Sequence, residues 1–209
     1  TIPEGVISLP SFVFSNARAL TSVSIPSSVV SIDRNTFDGA TALTNIAVAS
    51  NSQSFRSIDG VLFSKDAKVL LDYPLGKSAT SYSIPDGVTR IGDSAFDYVT
   101  SLTSIIIPEG VMSIGDSAFA AAVSITSITV PSSVTSIDNY AFAEATLLAS
   151  INIPDGVTTI GEYAFSFATA LTSIIIPANV ATIGSNAFEY AVALSNIYFL
   201  GDAPTVGPD

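Results

Sequence analysis

A repeat of 23 residues constrains the fold of this chain more than any other feature of its sequence. Ile-Pro, or a pair that takes its place, recurs at this interval from Ile2-Pro3 to Phe199-Leu200. One step is longer, because 36 residues separate Ala49 from Pro85. A unit this short becomes stable by stacking on its neighbours. We therefore predict a single solenoid over residues 1–209, with an insertion at residues 50–83.

Apolar columns at fixed positions of the repeat predict the core. The aromatic column consists of Phe14, Phe37, Phe96, Phe119, Phe142, Phe165 and Phe188. Three residues after each aromatic stands a small or branched side chain, namely Ala17, Ala40, Val99, Ala122, Ala145, Ala168 and Ala191. Because side chains of matched size recur one coil apart, we expect each to stack on its counterpart in the next coil.

The main strand of each coil is predicted from a β-branched segment. Thr103 to Ile107 is such a segment, and Pro108 ends it because proline has no N–H for a ladder hydrogen bond. Strand alternation points Ile105 inward and Ser104 outward. Stacked coils then place these strands side by side in a parallel sheet on one face. The residues from Gly87 to Gly92 form a possible second short strand.

The spacing after the second strand favours helical geometry. Ala95, Phe96 and Val99 lie three or four residues apart, which predicts one helical or 3₁₀ turn, and Asp93 or Ser94 is positioned to cap it. The expected architecture is an α/β solenoid. It is a leucine-rich-repeat coil stack with a parallel β-sheet on one face, short helical or 3₁₀ turns, and one β-hairpin insertion.

The repeat pattern IPxGVxxIGxxAFxxxxxLTSIxI resembles the BspA-like leucine-rich repeats of bacterial and protist surface proteins. It covers essentially the whole chain, and an insertion similar to SIDGVLFSKD at Ser57–Asp66 also occurs in that family. This chain departs from the family at the small column, where the family usually has cysteine. The resemblance implies a location outside the cell or on its surface, and binding to host matrix proteins or to other cells.

The insertion is predicted to form a β-hairpin. Two apolar segments, residues 59–63 and 69–74, flank the polar segment 64–68, as in two strands joined by a turn. All three lysines of the chain (Lys65, Lys68 and Lys77) lie in the insertion. The insertion is therefore mildly cationic on an otherwise acidic solenoid.

Composition removes several classes of function. The chain has no histidine and no cysteine, so imidazole and thiol catalysis and the usual zinc sites are absent. Seven basic residues stand against 18 acidic ones, a net charge of -11, which opposes binding to nucleic acid. No apolar segment has the length of a membrane helix, so we expect no membrane insertion. We predict no enzyme, no cofactor, and neither catalytic nor metal-binding residues.

An acidic column leaves two interpretations open. Asp93, Asp116, Asn139 and Glu162 occupy equivalent positions of successive coils. Such residues cap turns, where a negative charge favours unpaired N–H groups. Alternatively, carboxylates stacked roughly 5 Å apart could share calcium.

The outward side of the main strands is the candidate binding face. Its residues are Ser104, Ile106, Ser127, Thr129, Ser150, Asn152, Ser173, Ile175, Asn196 and Tyr198. Solenoids present extended surfaces of this kind to protein partners. We therefore predict a protein-binding or adhesion module.

Two alternatives to adhesion remain. The first is a structural unit that self-associates end to end into a surface filament or layer. The second, for which the sequence offers less, is an accessory region of a larger extracellular enzyme. In each case we expect a piece of a longer chain, because Thr1 already belongs to a coil.

Overall fold

The computed structural model describes residues 1–207, which form a β-solenoid with short strands on two sides of each coil. The strands are β1 (Ser8–Leu9), β2 (Ser22–Ile25), β3 (Ser31–Ile32), β4 (Asn45–Val48), β5 (Phe55–Ile58), β6 (Val61–Ser64), β7 (Val69–Asp72), β8 (Ser81–Ser83), β9 (Arg90–Ile91), β10 (Ser104–Ile106), β11 (Ser113–Ile114), β12 (Ser127–Thr129), β13 (Ser136–Ile137), β14 (Ser150–Asn152), β15 (Thr159–Ile160), β16 (Ser173–Ile176), β17 (Thr182–Ile183), β18 (Asn196–Phe199) and β19 (Thr205–Val206).

The first side of the solenoid carries the main strands, all paired in parallel. Strands β8, β10, β12 and β14 form one sheet, and β2–β4 and β16–β18 form two further pairs. Each partner lies 23 residues away, as in the pairing of Ser127 with Ser150. The predicted solenoid and its parallel sheet are confirmed.

The second side carries a longer sheet built from the second short strand of each coil. Its order is β19-β17-β15-β13-β11-β9-β7-β6-β5, and β9 lies within the segment from Gly87 to Gly92 that the sequence marked as extended. Strands β1 and β3 pair separately in the first coils. The solenoid therefore has two parallel sheets, with the core between them.

The predicted helical or 3₁₀ turns are wrong, because residues 1–207 contain no helix and the third side of each coil consists of consecutive turns. Ser94 and Tyr98 have left-handed backbone angles, with φ of 55° and 58°. The N–H groups of Ser94, Phe96 and Tyr98 donate to carbonyls of the next coil at 2.8–2.9 Å. These donors bond between coils, so a helix cannot propagate. The same part of the chain offers no apolar helix that could span a bilayer.

The inserted segment forms a small antiparallel sheet that continues the second side. Strands β5 and β6 pair antiparallel, as do β6 and β7, while β7 pairs in parallel with β9. The β6–β7 pair is a hairpin at the predicted place, and β5 adds a third strand. Strand β8, within residues 50–83, pairs with β10 and so returns the chain to the main sheet.

The core consists of stacked side chains, as the columns predicted. Phe96, Phe119, Phe142 and Phe165 stack with ring centroids 5.1–5.4 Å apart. Apolar residues divide into two clusters, one in the first coils and one from the insertion onward. Tyr73 supplies the aromatic ring of the coil that contains the insertion, since it stacks on Phe96 at 5.3 Å.

Candidate binding face

All ten residues of the candidate binding face are exposed, and we call them the main face. Alternation along each strand buries Ile105, Ile128, Ile151 and Ile174 behind them. Parallel pairing aligns the exposed residues into two columns, as in the pairing of Ile106 with Thr129 and of Thr129 with Asn152. Five consecutive coils therefore present one continuous flat surface.

The main face combines unused hydrogen-bonding groups with apolar side chains. Within residues 1–207, the hydroxyls of Ser104, Ser127 and Ser150 make no side-chain hydrogen bond. Ile106 is 65% exposed and Tyr198 is 54% exposed, which is high for such large side chains. None of the ten residues is ionisable at neutral pH. The surface can therefore hydrogen-bond and pack against a partner without burying charge.

Hydroxyl groups at the start of the main strands hold adjacent coils in register. Thr103 Oγ1 donates to the carbonyl of Thr80 at 3.1 Å, and Ser195 Oγ donates to that of Thr172 at 3.2 Å. Thr44 Oγ1 makes the same bond to the carbonyl of Thr21. The threonine and serine beside the main face are thus engaged in structure, which leaves recognition to the two columns next to them.

The acidic column forms hydrogen bonds between coils. Asp93 Oδ1 accepts from the backbone N–H of Asp116 at 3.2 Å, and Asp116 Oδ1 accepts from that of Asn139 at 3.1 Å. Asn139 Oδ1 in turn accepts from Glu162 N at 2.8 Å. In the described part of the chain no three carboxylates converge closely enough to hold a metal ion. The column therefore caps backbone N–H groups of the following coil.

Exposed aromatic side chains lie on the turn side, which sequence analysis did not select as a site. Tyr140 and Tyr163 stack with ring centroids 4.9 Å apart, and Phe167 and Tyr190 do so at 4.6 Å. All four residues have positive φ, which turns their side chains outward. The available signal was the recurrence of aromatic residues at one repeat position.

The two sheets, the stacked core and the exposed face define a leucine-rich-repeat solenoid, a class of repeat protein that binds through an extended surface. A family model for the BspA type leucine rich repeat region matches residues 1–69 and 75–195, in six copies. The chain belongs to this family, as the resemblance of its repeats indicated. No curated protein matches the chain at a significant level.

Several crystal structures of bacterial proteins are similar to the chain. A leucine rich cell surface protein from Faecalibacterium prausnitzii is 34% identical, with a TM-score of 0.84 over 96% of this chain and 59% of that one. A leucine-rich repeat protein from Eubacterium ventriosum is 27% identical, with a TM-score of 0.86 over 94% and 53%. The pneumococcal vaccine antigen PcpA is 27% identical, with a TM-score of 0.75 over 88% and 46%. The chain thus spans about half the length of these proteins.

Proposed function

We propose that this chain is a non-enzymatic protein-binding module of a cell-surface protein, and that the main face contacts the partner. One observation carries the proposal: two exposed columns run in register across five coils, with no charge and with free hydroxyls. Large exposed side chains such as Ile106 and Tyr198 supply apolar contact area. The partner that fits this surface is another protein, of a host matrix or of a cell surface.

The relatives support this location and this kind of role. The Faecalibacterium protein is described as a cell surface protein, and PcpA is described as a vaccine antigen. A protein exposed on a bacterium is accessible to matrix proteins and to other cells. Many weak contacts along a rigid scaffold, repeated in several copies, then add to a high avidity. We extend this to residues 1–209 as one solenoid domain with residues 50–83 inserted.

A pair of charged substitutions tests the proposal. Thr129→Arg with Asn152→Arg places two guanidinium groups on adjacent coils of the main face. Thr159→Arg with Thr182→Arg does the same on the second sheet, at exposed strand positions, and serves as the matched control. Surface plasmon resonance over a panel of purified matrix proteins should find a partner. The first variant should lose binding by about tenfold or more and the control should retain it.

The result that contradicts the proposal is equally specific. Equal losses in both variants mean that the partner senses net charge and does not contact the main face. Full binding by the main-face variant means that another surface is responsible. Circular dichroism of both variants checks that each remains folded.

Self-association is the alternative proposal, and it predicts different behaviour without any ligand. The β18 strand is exposed along its whole length, and Ile197, Phe199 and Leu200 add apolar area beside it. Light scattering over a concentration series separates the two proposals. A constant monomer mass favours the binding module, whereas a mass that grows with concentration favours end-to-end assembly.

A further inference from the structure

The aromatic ladder is interrupted where the insertion enters the solenoid. Phe14 stacks on Phe37 at 5.6 Å, and Tyr73 stacks on Phe96 at 5.3 Å. Within residues 1–207, Phe37 and Tyr73 do not stack on each other, although they are the next pair along the core. Both side chains instead line one cavity of about 190 Å³. The insertion thus creates a cavity that no other pair of neighbouring coils provides by the same means.

The cavity wall is apolar on one side and acidic on the other. Leucines of the first coils and of the insertion form the apolar part, together with Phe37 and Tyr73. Five aspartates and Arg34 form the polar part. The ion pairs of the described residues join Arg34 to Asp116 and Arg90 to Asp93. Three of the lining carboxylates, those of Asp38, Asp72 and Asp97, therefore have no cationic partner within residues 1–207.

Two buried polar groups in this wall lack hydrogen-bond partners in the described residues. Tyr73 is only 2% exposed and its hydroxyl is unpaired, and Oδ1 of Asp97 is buried and unpaired as well. A buried polar group without a partner costs about 1–3 kcal/mol, so folded proteins rarely keep one without a reason. Two such groups in one small cavity point to a ligand that donates hydrogen bonds.

The carboxyl groups of the cavity are sensitive to a cation. Burial raises the pKa of Asp97 to about 7, and the nearby carboxylate of Asp38 adds to this effect. Burial also raises the pKa of Asp72 to about 7, since packed atoms displace most of the water around it even though the side chain keeps some surface. A positive charge in the cavity would stabilise both carboxylates in their ionised form.

We propose that this cavity binds an alkylammonium group, with Asp38, Asp72 and Asp97 around the charge and the rings of Phe37 and Tyr73 beside it. An ammonium group has three donors for the carboxylates and the Tyr73 hydroxyl, and aromatic faces attract such cations. The alkyl part packs on the leucines. The described residues contain no carboxylate cluster suited to a metal ion, which favours an organic cation. The same group can come from a free amine or from a lysine side chain.

Isothermal titration calorimetry on the full chain tests the proposal. The probes are n-pentylammonium, its neutral counterpart n-pentanol, and N-acetyl-lysine amide as the lysine side chain. Wild type should bind n-pentylammonium at least about tenfold more tightly than n-pentanol. If N-acetyl-lysine amide binds as well as the simple amine, the source is a lysine of a partner. If only the simple amine binds, the source is a free amine.

Substitutions locate the site. Asp97→Asn keeps the shape of the side chain and should weaken n-pentylammonium binding about tenfold, whereas Asp155→Asn removes an exposed carboxylate far from the cavity and should change it less than about twofold. Tyr73→Phe removes an unpaired hydroxyl, so it should weaken binding without lowering thermal stability.

Three results would each overturn the proposal. Neither cation may bind up to about 10 mM, a limit below which any specific site of useful strength is detected. The alcohol may bind as tightly as the amine, which excludes a role for charge. The Asp97→Asn and Asp155→Asn variants may lose affinity equally, which reduces the effect to net charge.

Discussion

At the scale of single residues, the stacked aromatic column carries the most stability per side chain. Phe119 is 1% exposed, and its ring lies between those of Phe96 and Phe142 at 5.1 and 5.3 Å. Phe119→Ala removes contacts on both sides and leaves a cavity, so unfolding free energy should fall by about 3–5 kcal/mol. Urea denaturation followed by circular dichroism measures this loss.

The control for that experiment is an exposed aromatic of the same type. Phe167→Ala removes a ring that is 43% exposed on the turn side, although it stacks on Tyr190. Its loss should stay near about 1 kcal/mol, since little apolar area leaves the core. Equal losses in the two variants would contradict the assignment of the column to the core.

The buried carboxyl of Asp97 should make stability depend on pH. Its pKa is about 7 in the folded chain against an ordinary value of 3.8, because of burial and then the charge of Asp38. The folded form therefore holds a proton that the unfolded form releases above its own pKa. The stabilisation is complete below about pH 4 and is lost as pH rises through about 7, at up to about 1.4 kcal/mol per pH unit.

A variant isolates this contribution from the other acids, including Glu144, which also faces Asp97. Asp97→Asn cannot titrate, so its unfolding free energy should fall less steeply than wild type between about pH 4.5 and about pH 6.5. Asp155→Asn, an exposed position, should follow the wild-type slope. Urea denaturation at several pH values provides the comparison, and parallel curves for wild type and Asp97→Asn would refute it.

At the scale of elements, the strands were predictable and the turns were not. Alternation from Thr103 to Ile107 and the proline after it are local signals, so they fixed the main strand and its exposed side. The turn side depends on hydrogen bonds to another coil, such as Phe96 N to the carbonyl of Ala118 at 2.8 Å. Its left-handed positions hold Ser94 and Tyr98 instead of glycine, so the sequence gave no sign that a helix is interrupted there.

A glycine scan of two adjacent alanines tests this account of the turns. Ala121 has φ of 49°, in the left-handed region, whereas its neighbour Ala120 is not among the positive-φ residues. Ala121→Gly should be neutral or stabilising by up to about 1 kcal/mol, because it relieves backbone strain. Ala120→Gly should destabilise by about 0.5–1 kcal/mol. Melting temperatures that fall equally in both variants would argue against left-handed strain at Ala121.

At the scale of the whole molecule, sequence analysis found the main face but not the cavity. Ser104 and Ile106 face outward by alternation alone, and the repeat extends that result to every coil. The cavity depends on where the repeat is broken, and the break only shows how the coils restack once the structure is known. Counting 23 residues back from Phe96 does reach Tyr73, so the aromatic ring of the inserted coil was within reach of the sequence.

The break also predicts how the molecule unfolds. Coils of a solenoid contact only their neighbours, so stability passes from one coil to the next. The interrupted stack between Phe37 and Tyr73 separates two apolar clusters and weakens that coupling. Phe37→Ala should therefore speed hydrogen exchange in β2 and β4 while leaving β12 and β14 nearly unchanged. Phe142→Ala should do the reverse, since its ring stacks within the second cluster.

Hydrogen exchange with mass spectrometry resolves the two halves, because peptides from β2–β4 and from β12–β14 do not overlap. Both substitutions remove one buried phenylalanine and leave the insertion intact, so each serves as the control for the other. Faster exchange in both halves after either change would mean that the insertion transmits stability across the break. Local responses would instead make the cavity a junction between two units, where a bound ammonium group could couple them by contacting Asp38 on one side and Asp97 on the other.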